Sequence, residues 1–480
     1  MKTPLKSINK AYNPTDFREK GVELVNLLAD YLEDCEAEKP MPILPKSTPN
    51  EMLSEWEADF QSPSETNPTD FFKKILSQSN HIHHPHYAGH QVVPSIPIAV
   101  LSETLSAFLN NGMAVYEMGP ASTAIERIVC NWIAKKFGMD EKASGLLVSG
   151  GSLGNLTALL CARQAKVQNA WQGGLKKVPQ LAIMVSEEAH YCVARSAKIM
   201  GLGEDGVILV PANSNRQMNM NALERKYEEA ISAGKQVFAI VGSACTTSTG
   251  SYDPLPEIAD FCEKNDIWFH VDGAHGSAVA LSEKYKHLVV GIERADSVII
   301  DFHKMLLMPA LTTAVVFKNE LDSHKTFAQK ASYLLEESEN NWFDLASRTV
   351  ECTKKMMGLK IYLTLKMYGE QLFDDFVTHT HDLAQEFAES IKSNPNLELA
   401  IEPQSNILCF RFFNMGSSDE ELNQLNRNIR REIVESGEFY IVQTQLNDIV
   451  YLRMALMNPQ INSTIFEKLL KKIEQLAVLK

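Results

Sequence analysis

The chain has 480 residues, 46 basic and 60 acidic side chains, a net charge of −14 and 45% hydrophobic residues. That length supports two or three domains, the composition is globular rather than disordered, and the acidic balance argues against nucleic acid or an anionic membrane as the main partner. The polar start (residues 1–13) has no apolar core of a secretory signal, and no uninterrupted apolar run is long enough to cross a bilayer, so the expected location is cytoplasmic.

In chain order, residues 15–35 place Phe17, Val22, Leu24, Val25, Leu28, Tyr31 and Leu32 at helical spacing, which predicts an amphipathic helix needing a partner surface. Residues 39–49 are proline-rich and should be extended. His81, His83, His84, His86 and His90 crowd the next stretch, but it contains proline and brings no carboxylate or thiol, so no metal is expected there. The eight cysteines are equally scattered, with no CxxC pairing, and should be buried free thiols. The turn Ala114-Val115-Tyr116-Glu117-Met118-Gly119-Pro120 leads into a helix over 124–137, with Pro120 as its start signal.

From 146 to 317 short aliphatic runs (145–148, 181–185, 207–210, 237–241, 267–271, 298–300, 314–317) alternate with helical stretches, the pattern of a mostly parallel sheet covered by helices on its faces. Beyond 347 the spacing predicts helices over 356–368 and 372–392, strands over 407–412 and 449–455, and a last helix from 463, which suits a smaller α+β domain. There is no internal repeat.

Three segments carry chemistry. Ser149-Gly150-Gly151-Ser152-Leu153-Gly154-Asn155 precedes an apolar helix, and glycines at a helix start expose N–H groups that favour an anion such as phosphate, although glycine turns before helices are common. The run from Ile267 to Val271 ends in Asp272; a carboxylate against a pyridinium nitrogen keeps it protonated, while the alternative is a turn-forming Asp beside Gly273. The run from Ser297 to Asp301 ends in Phe302-His303-Lys304. A lysine at the mouth of a buried strand, its pKa lowered by desolvation or nearby cations, can hold an aldehyde as a Schiff base; a surface lysine just past a strand is the ordinary alternative.

Together, and in this order, the segments 150–155, His190, His270-Val271-Asp272-Gly273-Ala274-His275 and 301–304 resemble the group II decarboxylases that use pyridoxal phosphate. That family includes the glutamate, cysteine-sulfinate, aromatic amino acid and diaminobutyrate decarboxylases. The resemblance runs from about residue 17 to 453. It implies the α/β fold of the aspartate aminotransferase type (fold type I), with an N-terminal helical dimerisation segment (1–90), a large cofactor domain (91–346) and a small C-terminal α+β domain (347–480).

The resemblance also implies roles for particular residues. Gly151, Ser152 and His303 contact the cofactor phosphate, His190 stacks on its ring with Ala274 on the opposite face, and Ser243 approaches cofactor and substrate, with Cys245 where a glycine is usual. Asp272 meets the ring nitrogen and Lys304 the aldehyde. Tyr333, on a loop reaching over from a partner subunit, protonates the α-carbon, and Arg453 lies near a substrate carboxylate. The segment at His84-Pro85 and beyond lines the substrate pocket, with His90 where glutamate-type members carry glutamine.

The expected activity is therefore decarboxylation of an L-amino acid to its amine and carbon dioxide by a homodimer whose active sites lie at the interface. The substrate expected is acidic or a diamino acid, such as glutamate, aspartate or 2,4-diaminobutyrate. Aminotransfer on the same fold, and decarboxylation of an aromatic amino acid, stay open.

Overall fold

The structure, a computed structural model, describes residues 4–61, 67–167, 170–327 and 342–478. Two compact units emerge: Gln91–Ser393 with Leu399–Cys409, and Met1–His90 with Asn394–Glu398 and Phe410–Lys480.

The larger unit is built on a seven-stranded sheet of β1 (Ser144–Val148), β2 (Gln180–Ser186), β3 (Val207–Val210), β4 (Lys235–Ser243), β5 (Trp268–Asp272), β6 (Ser297–Asp301) and β7 (Thr313–Phe317), in the order β1-β7-β6-β5-β4-β2-β3. β3, β2, β4, β5 and β6 pair in parallel, and only β7 runs antiparallel to its neighbours β6 and β1. Every residue of β1, β5, β6 and β7 is buried. Such two-sided burial is why they read as continuous aliphatic runs and not as alternating patterns. The core around Leu146, Ile183, Phe238, Trp268, Ile299 and Phe317 is closed to solvent, and each such side chain contributes roughly 2 kcal/mol.

With one exception the strands therefore share a direction, and β1, β2, β4, β5 and β6 all finish at one edge. Ligand sites in parallel sheets form at that edge, because crossover connections start there and leave backbone N–H groups and loop side chains unpaired.

In the smaller unit the helix Pro14–Glu36 starts at Asn13, whose side chain accepts the N–H groups of Thr15 and Asp16. Along its apolar stripe Val22, Val25 and Leu28 are exposed, while Leu24, Tyr31 and Leu32 are half-buried. A second sheet, order β10-β11-β9-β8, contains β8 (Leu397–Leu399), β9 (Ile407–Phe412), β10 (Val442–Leu446) and β11 (Ile449–Ala455), of which Leu399 and Ile407–Cys409 count with the larger unit. β10 and β11 form a hairpin turned by Asn447 and Asp448, both at positive φ, as a two-residue turn of matching twist demands.

The helix Gly358–Tyr368 packs on the helices Pro97–Leu109 and Pro120–Lys136, so residues 347–393 join the larger unit. The N-terminal segment instead clusters with the C-terminal one, where Tyr87 and Ala88 run beside Tyr440. Among the described residues no helix is long and apolar enough to cross a membrane.

Candidate active site

The first side of the site follows β1. Gly150 takes φ +107°, a backbone that suits glycine alone, and from there the helix Gly151–Lys166 begins with no side chain capping its first turn. Its opening N–H groups face the edge where the strands end.

β5 supplies the second side. Successive residues of a strand alternate faces, so Trp268, His270 and Asp272 share one face. Asp272 ends the strand, 8% exposed, accepting from Asn155 Nδ2 at 3.0 Å and from the Ala274 N–H at 3.3 Å.

After β6 the chain turns, the Lys304 N–H donating to the Asp301 carbonyl at 3.2 Å. This brings Lys304 Nζ to 3.0 Å from Asp301 Oδ2, while His303 Nε2 stands 3.6 Å from the same oxygen. Thr313 also donates to Asp301. Burial opposes both charges of the pair. The Asp301 carboxylate, backed by Asp272, nevertheless holds the lysine amine above its ordinary value, and Lys304 and His303 hold Asp301 below its own. This corrects the expected lowering of the Lys304 pKa: its nearest charge is an anion, not a cation.

His190 precedes and caps the helix Tyr191–Ile199, its Nδ1 accepting the Cys192 N–H at 3.3 Å. Burial depresses its pKa, against an opposing pull from Asp272, so the imidazole is neutral near pH 7. Ser243 closes β4 and donates its N–H to Asp253 at 2.7 Å. Burial raises the Asp253 carboxyl to about 6, despite N–H donors from Met218 and Ser243.

Gly151, Ser152, His190, Ser243, Asp272, Ala274, His303 and Lys304 all line a single cavity of about 300 Å³. Asn155, Cys192, Gln91, Thr247 and His275 line it too. Sequence reading quoted Asn155 without a role and passed over Gln91, one residue beyond His90. For Cys192 the available signal was its place two residues after His190.

Other expected residues are elsewhere. His90 and Arg453 belong to the smaller unit and are not among those lining this cavity. There His90 Nε2 meets the Tyr440 hydroxyl at 3.0 Å, a position that depends on Gly89, since a Cβ at 89 would stand 2.3 Å from the Tyr440 ring. Arg453, 6% exposed, sits in β11 opposite Val442. His84 and His86 line a different cavity, of about 600 Å³, with Glu38, Pro42 and Gly437. Tyr333 lies outside the described residues.

A fold type I sheet whose strand ends gather an uncapped, glycine-started helix, a buried acid and a lysine fits pyridoxal phosphate. It offers N–H groups for the phosphate, a carboxylate for the ring nitrogen and an amine for the aldehyde. This defines a pyridoxal-phosphate enzyme.

The model of the pyridoxal-dependent decarboxylase conserved domain matches residues 49–413, and the chain belongs to that family. It is similar to the L-2,4-diaminobutyrate decarboxylase of Acinetobacter baumannii, 30% identical over 414 residues that cover 83% of this chain and 81% of that protein. The aromatic-L-amino-acid decarboxylase of Bacillus atrophaeus is 27% identical over 475 residues, 98% of this chain and 97% of that protein. Among solved structures, the glutamate decarboxylase domain of diaminobutyrate-pyruvate transaminase and L-2,4-diaminobutyrate decarboxylase from Vibrio parahaemolyticus superposes with a TM-score of 0.84 at 28% identity, covering 97% of this chain and 96% of that one. The protein is thus a lyase, a pyridoxal-phosphate-dependent amino acid decarboxylase.

Proposed function

We propose that the substrate is a short acidic or diamino L-amino acid, glutamate, aspartate or 2,4-diaminobutyrate, decarboxylated by a cytoplasmic homodimer. The observation that carries this reading is that Lys304 and Asp272 line one cavity of about 300 Å³ in which Leu311 is the only large apolar side chain among the described lining residues. An aromatic substrate would call for an apolar, aromatic wall. The diaminobutyrate relative supports the same class. Support for the dimer comes from the exposed apolar side chains Val22, Val25 and Leu28 of Pro14–Glu36, and for the compartment from eight free cysteines.

Bound pyridoxal phosphate supplies an aldehyde that joins to amines and a ring that spreads the electron pair left when carbon dioxide departs. In this reading the Lys304 amine would hold the aldehyde and the Asp272 carboxylate would keep a proton on the ring nitrogen. Gly151, Ser152 and His303 would hold the phosphate, His190 and Ala274 would flank the ring, and Ser243 would orient cofactor and substrate. Tyr333 delivers a proton to the α-carbon, which separates decarboxylation from reactions that return it elsewhere. Arg453 pairs with a substrate carboxylate and His90 selects the side chain.

A panel of aspartate, glutamate, cysteine sulfinate, diaminobutyrate, lysine and aromatic amino acids, assayed for carbon dioxide and amine, tests the substrate class. Preference for an aromatic member sinks it. Single-turnover formation of a keto acid with the aminated cofactor would instead mark an aminotransferase.

A further inference from the structure

Behind Asp272 lies a hydrogen-bonded file that neither the family assignment nor the roles above use. The Trp268 indole Nε1–H donates to Ser297 Oγ at 2.8 Å, and Ser297 Oγ stands 2.9 Å from His270 Nδ1. His270 Nε2 stands 2.8 Å from Asn155 Oδ1, and Asn155 Nδ2 donates to Asp272 Oδ2 at 3.0 Å and to Cys192 Sγ at 3.2 Å. The first four side chains are at most 2% exposed, so water does not complete or reverse the file.

Its polarity follows from hydrogen-bond inventory. An indole can only donate, so Ser297 Oγ accepts there and has its own proton for His270 Nδ1. Burial drives the His270 pKa to about 4, against the pull of Asp272, so the ring is neutral and, with Nδ1 accepting, its one proton sits on Nε2. Asn155 Oδ1 must then accept from His270, which turns the amide NH₂ toward Asp272. The reverse order would place the imidazole proton on the Ser297 carbonyl, 3.2 Å from Nδ1, and turn the amide oxygen onto Asp272. Only a protonated Asp272 could meet that oxygen.

We propose that Trp268, Ser297, His270 and Asn155 act as positioning residues, a one-way file that keeps Asp272 an ionised acceptor and so keeps the cofactor ring nitrogen protonated. The inference rests on the reading of Asp272 as the ring-nitrogen partner. The titratable groups facing Asp272 are His270 on its own strand, His190 and Cys192 at the start of Tyr191–Ile199, and Lys304 beyond β6.

The test uses Ser297→Ala, Asn155→Leu, Ser297→Thr and Asp272→Ala. Readouts are the pyridoxal phosphate Kd of each apo-protein, the pH titration of the bound cofactor's visible absorbance, and the apo melting temperature. Ser297→Ala leaves the carbonyl as the only partner for Nδ1 and so frees the file to reverse. Ser297→Ala and Asn155→Leu are expected to raise Kd by about tenfold, the worth of one hydrogen bond to a charged group, and to bring a new spectral titration into the neutral range. Ser297→Thr, which keeps the hydroxyl, should restore both. Kd values within twofold of wild type with an unchanged titration overturn the proposal, as does weakened binding that merely follows a lowered apo melting temperature and that Ser297→Thr does not restore. If Asp272→Ala itself binds cofactor like wild type, the site reading falls first; if Asp272→Ala fails while the file variants do not, only the file falls.

Discussion

Two regions rich in histidine meet different fates. In the smaller unit five histidines fall within ten residues and four of them are absorbed into packing: His86 stacks on Phe439 with centroids 4.1 Å apart, His84 lies edge-on to His86, and His81 and His83 both lie against Tyr31. Burial depresses their pKa values, His84 to about 4, so they are neutral side chains filling space. In the larger unit His190, the His270–His275 pair and His303 come from three separate segments, yet parallel strands ending at one edge bring them to or behind one cavity. Local density of a reactive residue type thus says little about a site; convergence of strand ends says more, because only there do unpaired groups from distant segments face one opening.

Several substitutions can sharpen or break that contrast. The largest effect is expected from Lys304→Ala, which should lower kcat by about 10⁴-fold or more, as loss of a covalent partner does, and abolish the visible absorbance of the bound cofactor. Retained activity with an intact band would mean that the strand-end lysine is not the reactive group. Asp272→Ala should follow, with a loss of about 10³-fold in kcat because a preorganised charge at the ring is removed; single-turnover kinetics would measure it.

The packed region should respond in stability instead. Gly89→Ala forces a Cβ against the Tyr440 ring and should cost about 1–3 kcal/mol in denaturant unfolding, the usual range for overpacking. His81→Ala, which removes the bond to Tyr31 and a buried ring packed beside it, should cost about 1–3 kcal/mol and leave kcat within about twofold of wild type. A strong fall in kcat without a fall in stability would erase the distinction between the regions.

The finest effect concerns pH. His270 titrates from an ordinary value of 6.5 and from about 4 in the fold, so below pH 6.5 the unfolded chain takes up a proton that the fold refuses. Apo-protein stability should therefore fall from about pH 6.5 towards pH 4 and then level off, and His270→Gln should flatten part of that slope. For the Lys304–Asp301 pair the signs differ. The raised lysine value contributes stability below about pH 10.5 that is lost as pH rises through the folded value, and the depressed Asp301 value contributes stability above about pH 3.8 that is lost on further acidification. Thermal melts of wild type and Asp301→Asn across this range would read both edges.

The sequence by itself determined the sheet and its order of chemistry. Seven aliphatic runs became seven strands, four of them (β1, β5, β6 and β7) buried throughout, which is why those read as continuous apolar runs, and the glycine turn, Asp272 and Lys304 each stand just past the end of such a strand or at its last residue. Tertiary structure decided the rest. That Asp301 pairs with Lys304 depends on a turn three residues long, invisible in composition, and it reversed the expected direction of the lysine's pKa. That Asn155 spans from His270 to Asp272 depends on the way the helix Gly151–Lys166 lies across the sheet, a relation between residues more than a hundred positions apart. Likewise, the allegiance of residues 347–393 was settled by which apolar helix faces met, since periodicity announces that a face needs covering but not what covers it.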